Sequence, residues 1–167
     1  MVPVTACYLG RHSDANDKDR EVYLLTLDSL STPYLAPEIA GHQFTCLCAL
    51  DATFVSSEDL SRFCLRLLEL GCAYFCAWGP DCERVHDTMD KEEVGLLGSP
   101  DGGVVMTTWH AKDSLKAALD FFIDCTEPDE TYAPHGCDRG LIICVANPKW
   151  KAAIKRYASR EIGFASR

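Results

Sequence analysis

The run from Cys72 to Trp78 constrains this chain more than any other stretch, because every one of its seven residues is apolar or aromatic. A strand that hides one face alternates polar and apolar residues. A strand apolar at every position has both faces covered, as in the middle of a parallel sheet with helices on either side. The next residues are Gly79, Pro80, Asp81, Cys82 and Glu83. Gly79 permits a tight turn, Pro80 suits the first position of a helix, and Asp81 and Glu83 suit its first turn, where the helix dipole favours carboxylates. Strand, glycine turn and helix start together predict an α/β unit with its site at the carboxyl edge of the sheet.

Downstream and upstream segments repeat the theme. Residues 44–50 read as a second buried strand. Ser56 or Ser57 then caps a helix whose apolar residues Leu60, Phe63, Cys64, Leu67 and Leu68 recur at helical spacing, and Gly71 ends it. After the helix that follows Gly79, expected to about Lys91, residues 92–103 form a connection closing on the turn Ser99–Gly103. Residues 104–109 are a strand, and a helix capped by Asp113 or Ser114 buries Leu115, Ala118, Leu119 and Phe122. Residues 126–140 are irregular, 141–146 are a strand stopped by Asn147 and Pro148, and 149–160 form a closing helix with Trp150, Ile154 and Tyr157 inward.

Earlier residues are less regular. Residues 2–8 read as a short strand, 9–20 as an exposed loop, 22–27 as a strand extending the sheet at an edge, and 28–43 as a long connection broken by Pro33, Pro37 and Gly41. The prediction is one three-layer αβα domain over residues 1–167, Rossmann-like or flavodoxin-like, with a mostly parallel sheet of about five strands. Residues 1–20 are a poorly structured segment in this reading, and 149–167 are a basic closing helix.

Composition narrows the function. The net charge of −9 argues against nucleic acid as the partner. Charge is unevenly placed: residues 149–167 hold six Lys or Arg against one Glu, so a basic end follows an acidic body and could mark a contact surface. No leader-like start and no apolar run of membrane-spanning length are evident, so a cytoplasmic protein without a membrane partner is expected. The ten cysteines then read as reduced, packing mostly as small hydrophobes inside strands and helices, Cys7 and Cys125 among them. No Cys-x-x-Cys pair supports a structural zinc site.

Residues that follow the strands gather at one edge of such a sheet. Asp51, Trp78, Gly79, Trp109 and Asn147 are therefore candidate binding residues, and Asp81, Cys82, His86 and His110 candidate catalytic ones. Cys82 near a helix N-terminus could be a nucleophile with His86 or His110 as base. Against this, Cys82, Val85 and Met89 share one helix face and read equally as core, and Asp81 and Glu83 oppose a thiolate. A metal held by Cys82, His86, His110 and a carboxylate of Asp81 or Asp51 has only two ligands close in sequence, so no metal is assigned. The single glycine at residue 79, flanked by carboxylates, does not match a phosphate-binding loop, and no cofactor is expected.

From Ala77 to Asp87, from Met106 to His110 and along the helix from Ser114 to Cys125, the sequence resembles an uncharacterised bacterial family of small cytoplasmic domains of unknown function. The resemblance implies no catalytic role for any residue. The leading expectation is a non-catalytic binding protein with a protein partner, of accessory, defence or immunity type. The alternative is a Cys/His- or metal-dependent hydrolase-like enzyme at the carboxyl edge. Whether the chain is an enzyme, and its oligomeric state, stay open at this level.

Overall fold

The computed structural model describes residues 4–32, 34–35, 38–97 and 103–163. Its strands are β1 (Val4–Thr5), β2 (Cys7–Ser13), β3 (Asp19–Leu27), β4 (Tyr34–Leu35), β5 (Phe44–Ala49), β6 (Cys72–Trp78), β7 (Met106–Trp109) and β8 (Arg139–Val145). Its helices are α1 (Ser57–Leu70), α2 (Cys82–Leu97), α3 (Leu115–Cys125) and α4 (Pro148–Glu161), with a short 3-10 turn over Glu130–His135.

Six strands form one sheet in the order β2-β3-β8-β5-β6-β7. The five from β3 to β7 in that order are parallel, and β2 joins antiparallel to β3. Strands β5, β6 and β7 advance in one direction across the sheet, each step made through α1 or α2. The chain then returns past β6 and β5 to place β8 against β3. With right-handed crossovers, reversing the direction of travel moves the connecting helix to the other face. Accordingly α1 and α2 pack on one side with Cys46, Cys48, Phe75, Leu141 and Ile143. Helices α3 and α4 pack on the other with Leu47, Tyr74, Cys76, Ile142 and Cys144. The alternating inward residues of the central strands thus feed two cores, which is why β5 and β6 are apolar almost throughout.

Helix α1 forms as its sequence requires. Ser56 accepts a hydrogen bond from the Asp59 amide, and Gly71, at φ 103°, closes the helix with its N–H toward Leu67 and Leu68. Helix α3 begins in the same way at Ser114 and ends at Thr126 without a basic residue in its last turn. Arg20 of β3, only 4% exposed, supplies that cation from outside. Its guanidinium donates to Thr126 Oγ1 at 2.8 Å, to the Thr126 carbonyl at 2.5 Å and to the Cys137 carbonyl at 3.4 Å. The negative end of the helix dipole offsets the charge of an arginine that is otherwise costly to bury.

Several expectations need correction. Residues 9–20 are not a loop: β2 runs to Ser13 and β3 starts at Asp19, joined by a turn in which the Asp14 carboxylate accepts from the Asn16 and Lys18 amides. The polar face of an edge strand concealed it. Strand β3 is not at an edge, since it lies between β2 and β8. Helix α2 begins at Cys82 and not at Pro80, because Asp81 takes a left-handed φ of 61°, and it continues to Leu97 instead of ending near Lys91. Cys7 and Cys125 are exposed, while all ten thiols are unpaired. The turn expected at Ser99–Gly103 lies, except for Gly103, outside the described residues, as do Pro33 and Pro37. No described helix is long and apolar enough to cross a membrane.

Candidate functional site

Strands β5 and β8 are neighbours, yet the helices that follow them leave to opposite faces. The carboxyl ends of parallel strands part at such a point and leave a crevice. Here the ends of β3, β8 and β5 open on a cleft of about 480 Å³. One wall is Asp28, Ser29, Leu30 and Ser31 after β3; another is Leu50, Asp51 and the segment Phe54–Ser56 with Asp59; the third is Ala146, Asn147 and Trp150.

Local chemistry fixes each wall. Asp51 accepts from both the Thr53 amide, at 3.1 Å, and the Thr53 hydroxyl, at 2.6 Å. These two donors hold its carboxyl below the usual carboxylate range, so it is ionised at neutral pH. Arg84 crosses from α2 to donate to the carbonyls of Ala52 and Val55 while pairing with Asp81 at 2.7 Å. The loop carrying Phe54 is thereby anchored, and Phe54 itself stands 97% exposed at the rim. Asn147 caps α4 by accepting from the Trp150 amide at 3.0 Å. Ala146, between β8 and that cap, takes a left-handed φ of 51° while its amide donates to the Leu27 carbonyl at 2.7 Å. A residue with a side chain rarely adopts this conformation, and strain of this kind concentrates at functional sites.

The cleft is acidic. Asp28, Asp51 and Asp59 line it, and no Lys or Arg is among the described lining residues. Asp59 is partly offset by Arg62 at 3.1 Å, whereas Asp51, among the described residues, bonds only the neutral donors of Thr53. Trp150 gives an aromatic wall, braced from behind by Trp78.

The residues picked from the sequence divide into groups. Asp51 and Asn147 line the cleft. Trp78 and Gly79 stand behind it: Gly79, at φ 117°, is packed so closely on the Leu50 carbonyl that a Cβ would collide with it. Cys82, His86, His110, Asp81 and Trp109 lie outside the cleft and do not form one cluster, although the rings of His86 and Trp109 meet. Cys82 is 1% exposed in the core with Val85 and Met89. Burial, with Asp81 and Glu83 adding to it, pushes its thiol up despite the opposing hydrogen bonds of the His110 and Cys82 backbone. His86 bonds Thr107 Oγ1 at 3.0 Å and Asp87 at 2.9 Å, and its ring lies 4.5 Å from that of Trp109. His110 bonds Asp113 at 2.7 Å and Thr108 Oγ1 at 3.0 Å, against Phe121. Thr107 and Thr108 are successive residues of one strand and point to opposite faces, so the sheet separates the two imidazoles. Among the described residues, no group of three or more His, Cys, Asp or Glu side chains is arranged to hold a metal ion.

Asp28, Ser29, Ser31 and Trp150 were not among the residues chosen from the sequence. Asp28 obeys the same rule that selected Asp51, as the residue directly after a parallel strand. The sequence carries no mark of the direction of the strand over residues 22–27, so it does not single out Asp28, and the spacing of Trp150 reads as core.

No curated protein and no solved structure matches the chain. A family model does match: residues 25–161, which include all three walls of the cleft, fit the domain of unknown function DUF7684, and the chain belongs to that family.

Proposed function

We propose that this chain is a non-catalytic binding protein whose cleft at the ends of β3, β8 and β5 receives a basic segment of a partner protein. The observation that carries the reading is the charge of the cleft: aspartates without a lysine or arginine among the described lining residues, beside an aromatic wall. A lysine or arginine entering it would gain ion pairs with Asp51 and Asp28 and contact with Trp150, a combination that also suits cation–π attraction. Phe54 at the rim offers an apolar anchor. The buried thiol of Cys82 and the separation of His86 from His110 count against the alternative of a Cys/His hydrolase-like site. Ten unpaired cysteines fit work in a reducing bacterial cytoplasm, and an accessory or immunity-type protein that masks a basic surface is the form this reading takes.

Titration calorimetry with a short Lys/Arg-containing peptide tests it, against a peptide of the same length with Gln in those places. The basic peptide should bind, and Asp28→Asn with Asp51→Asn should weaken it about tenfold, the equivalent of ~1.4 kcal/mol. Equal binding of the neutral peptide, or no effect of the double variant, would remove the cleft from consideration.

A further inference from the structure

Helix α4 carries Lys149, Lys151, Lys155, Arg156 and Arg160, and among the described residues none of the five pairs with a carboxylate. Most cations elsewhere are engaged: Arg62, Arg66, Arg84, Lys116 and Arg139 all sit within ion-pair distance of Asp or Glu. The basic end singled out in the sequence is therefore not consumed as a complement to the acidic body. It faces outward on the side of the sheet opposite α1 and α2.

Beside these cations lies a groove of about 200 Å³ between α3 and α4. Its floor is Leu115, Leu119, Ala153 and Tyr157, and Arg156, Arg160 and Glu161 stand along its rim, the two arginines one helical turn apart. Lys116, also at the rim, is committed to Asp120 at 2.7 Å, and Asp120 in turn accepts from the Tyr157 hydroxyl at 2.8 Å. That chain of bonds fixes the floor and leaves the two arginines to an incoming group. Arginine matches planar carboxylates through paired N–H donors.

We propose that the groove between α3 and α4 docks an acidic, amphipathic segment of a protein partner, with its carboxylates on Arg156 and Arg160 and an apolar side chain over Leu119 and Tyr157. Charge complementarity sets the sign of the occupant, and the apolar floor sets its kind. A nucleic-acid backbone is charged at every phosphate and gains nothing from an aliphatic floor, whereas a segment of spaced carboxylates and apolar side chains uses both the arginines and the floor. This surface is separate from the acidic cleft, so either can fail without the other.

The test is calorimetry on the full chain with a synthetic peptide in which Glu and Leu recur at helical spacing. A second peptide with Gln for Glu and a single-stranded oligonucleotide complete the set. The acidic peptide should bind, with affinity falling at least tenfold for the Gln peptide and for the Arg156→Gln, Arg160→Gln double variant, while Arg66→Gln on the opposite face leaves it unchanged. Comparison of the two peptides uses the unmodified protein, so it decides the matter even if the double variant folds poorly. No binding of the acidic peptide, equal binding of both peptides, or displacement of the acidic peptide by the oligonucleotide would overturn the proposal.

Discussion

Trp78 and Trp150 meet edge to face, with ring centroids 4.9 Å apart and planes at 72°. Trp78 is the last residue of β6 and Trp150 lies in the first turn of α4, so one contact ties the end of a central strand to a helix that begins two strands away. The Trp78 indole N–H donates to the Asp113 carbonyl at 2.9 Å, which fixes its ring and makes it a support for the cleft wall. Trp150→Ala should cost ~2 kcal/mol in urea unfolding, less than the ~3–5 of a fully buried aromatic because Trp150 is only half-buried. The same variant should weaken the basic peptide. Full retention of peptide affinity would mean that Trp150 is packing and not part of the binding surface.

Gly79→Ala should be among the most damaging single-methyl additions to this chain. The residue has a left-handed φ, and the new methyl would collide with the backbone carbonyl of Leu50, which cannot rotate away as a side chain would. Strain and overpacking together are expected to cost about 3 kcal/mol or more. The midpoint of urea denaturation measures this, and an unchanged midpoint would show that the loop after β5 gives way freely.

Alkylation of the folded protein, read peptide by peptide in a mass spectrometer, should label Cys7 and Cys125 quickly and leave Cys82 unlabelled until denaturant is added, as exposure and burial dictate. Rapid labelling of Cys82 in the native state, with an apparent pKa below the ~8.5 of a free thiol, would instead restore the nucleophile reading.

Alkali should destabilise the fold. Burial raises the thiols of Cys46, Cys48 and Cys72 well above their ordinary range, and those of Cys64 and Cys76 to about 12. The unfolded chain releases these protons near pH ~8.5 while the folded chain keeps them. The folded state therefore binds more protons, its stability is complete below pH ~8.5, and it falls as pH rises from there toward 12, by up to ~1.4 kcal/mol per pH unit for each thiol. Urea unfolding at pH 7, 8.5 and 10 checks the slope. A flat profile across that range would mean that the thiols titrate alike in both states.

The physical reach of each signal explains how much of this was legible in the chain. Burial on both faces leaves a mark at every position of a strand, so residues 72–78 gave β6 with its correct ends, and the alternation from residue 44 onward gave the doubly wound class. Caps act within one turn of helix, and Ser56, Gly71 and Ser114 could be read from their immediate neighbours. Strand order has no such local mark. Whether β8 enters beside β5 or at an edge depends on packing across the whole sheet, and that decision alone creates the cleft between the ends of β3, β8 and β5. It brings Asp28, Asp51 and Asn147 to one place, though they lie far apart in the chain. Tertiary structure likewise parted residues that lie near one another in the chain: His86 sits in α2 and His110 directly after β7, but the alternation of β7 puts them on opposite faces of the sheet. Sequence determined which segments are strands and helices because those preferences are carried by neighbouring residues. Only the fold decided which side chains share a site, because that rests on contacts between segments that no local pattern records.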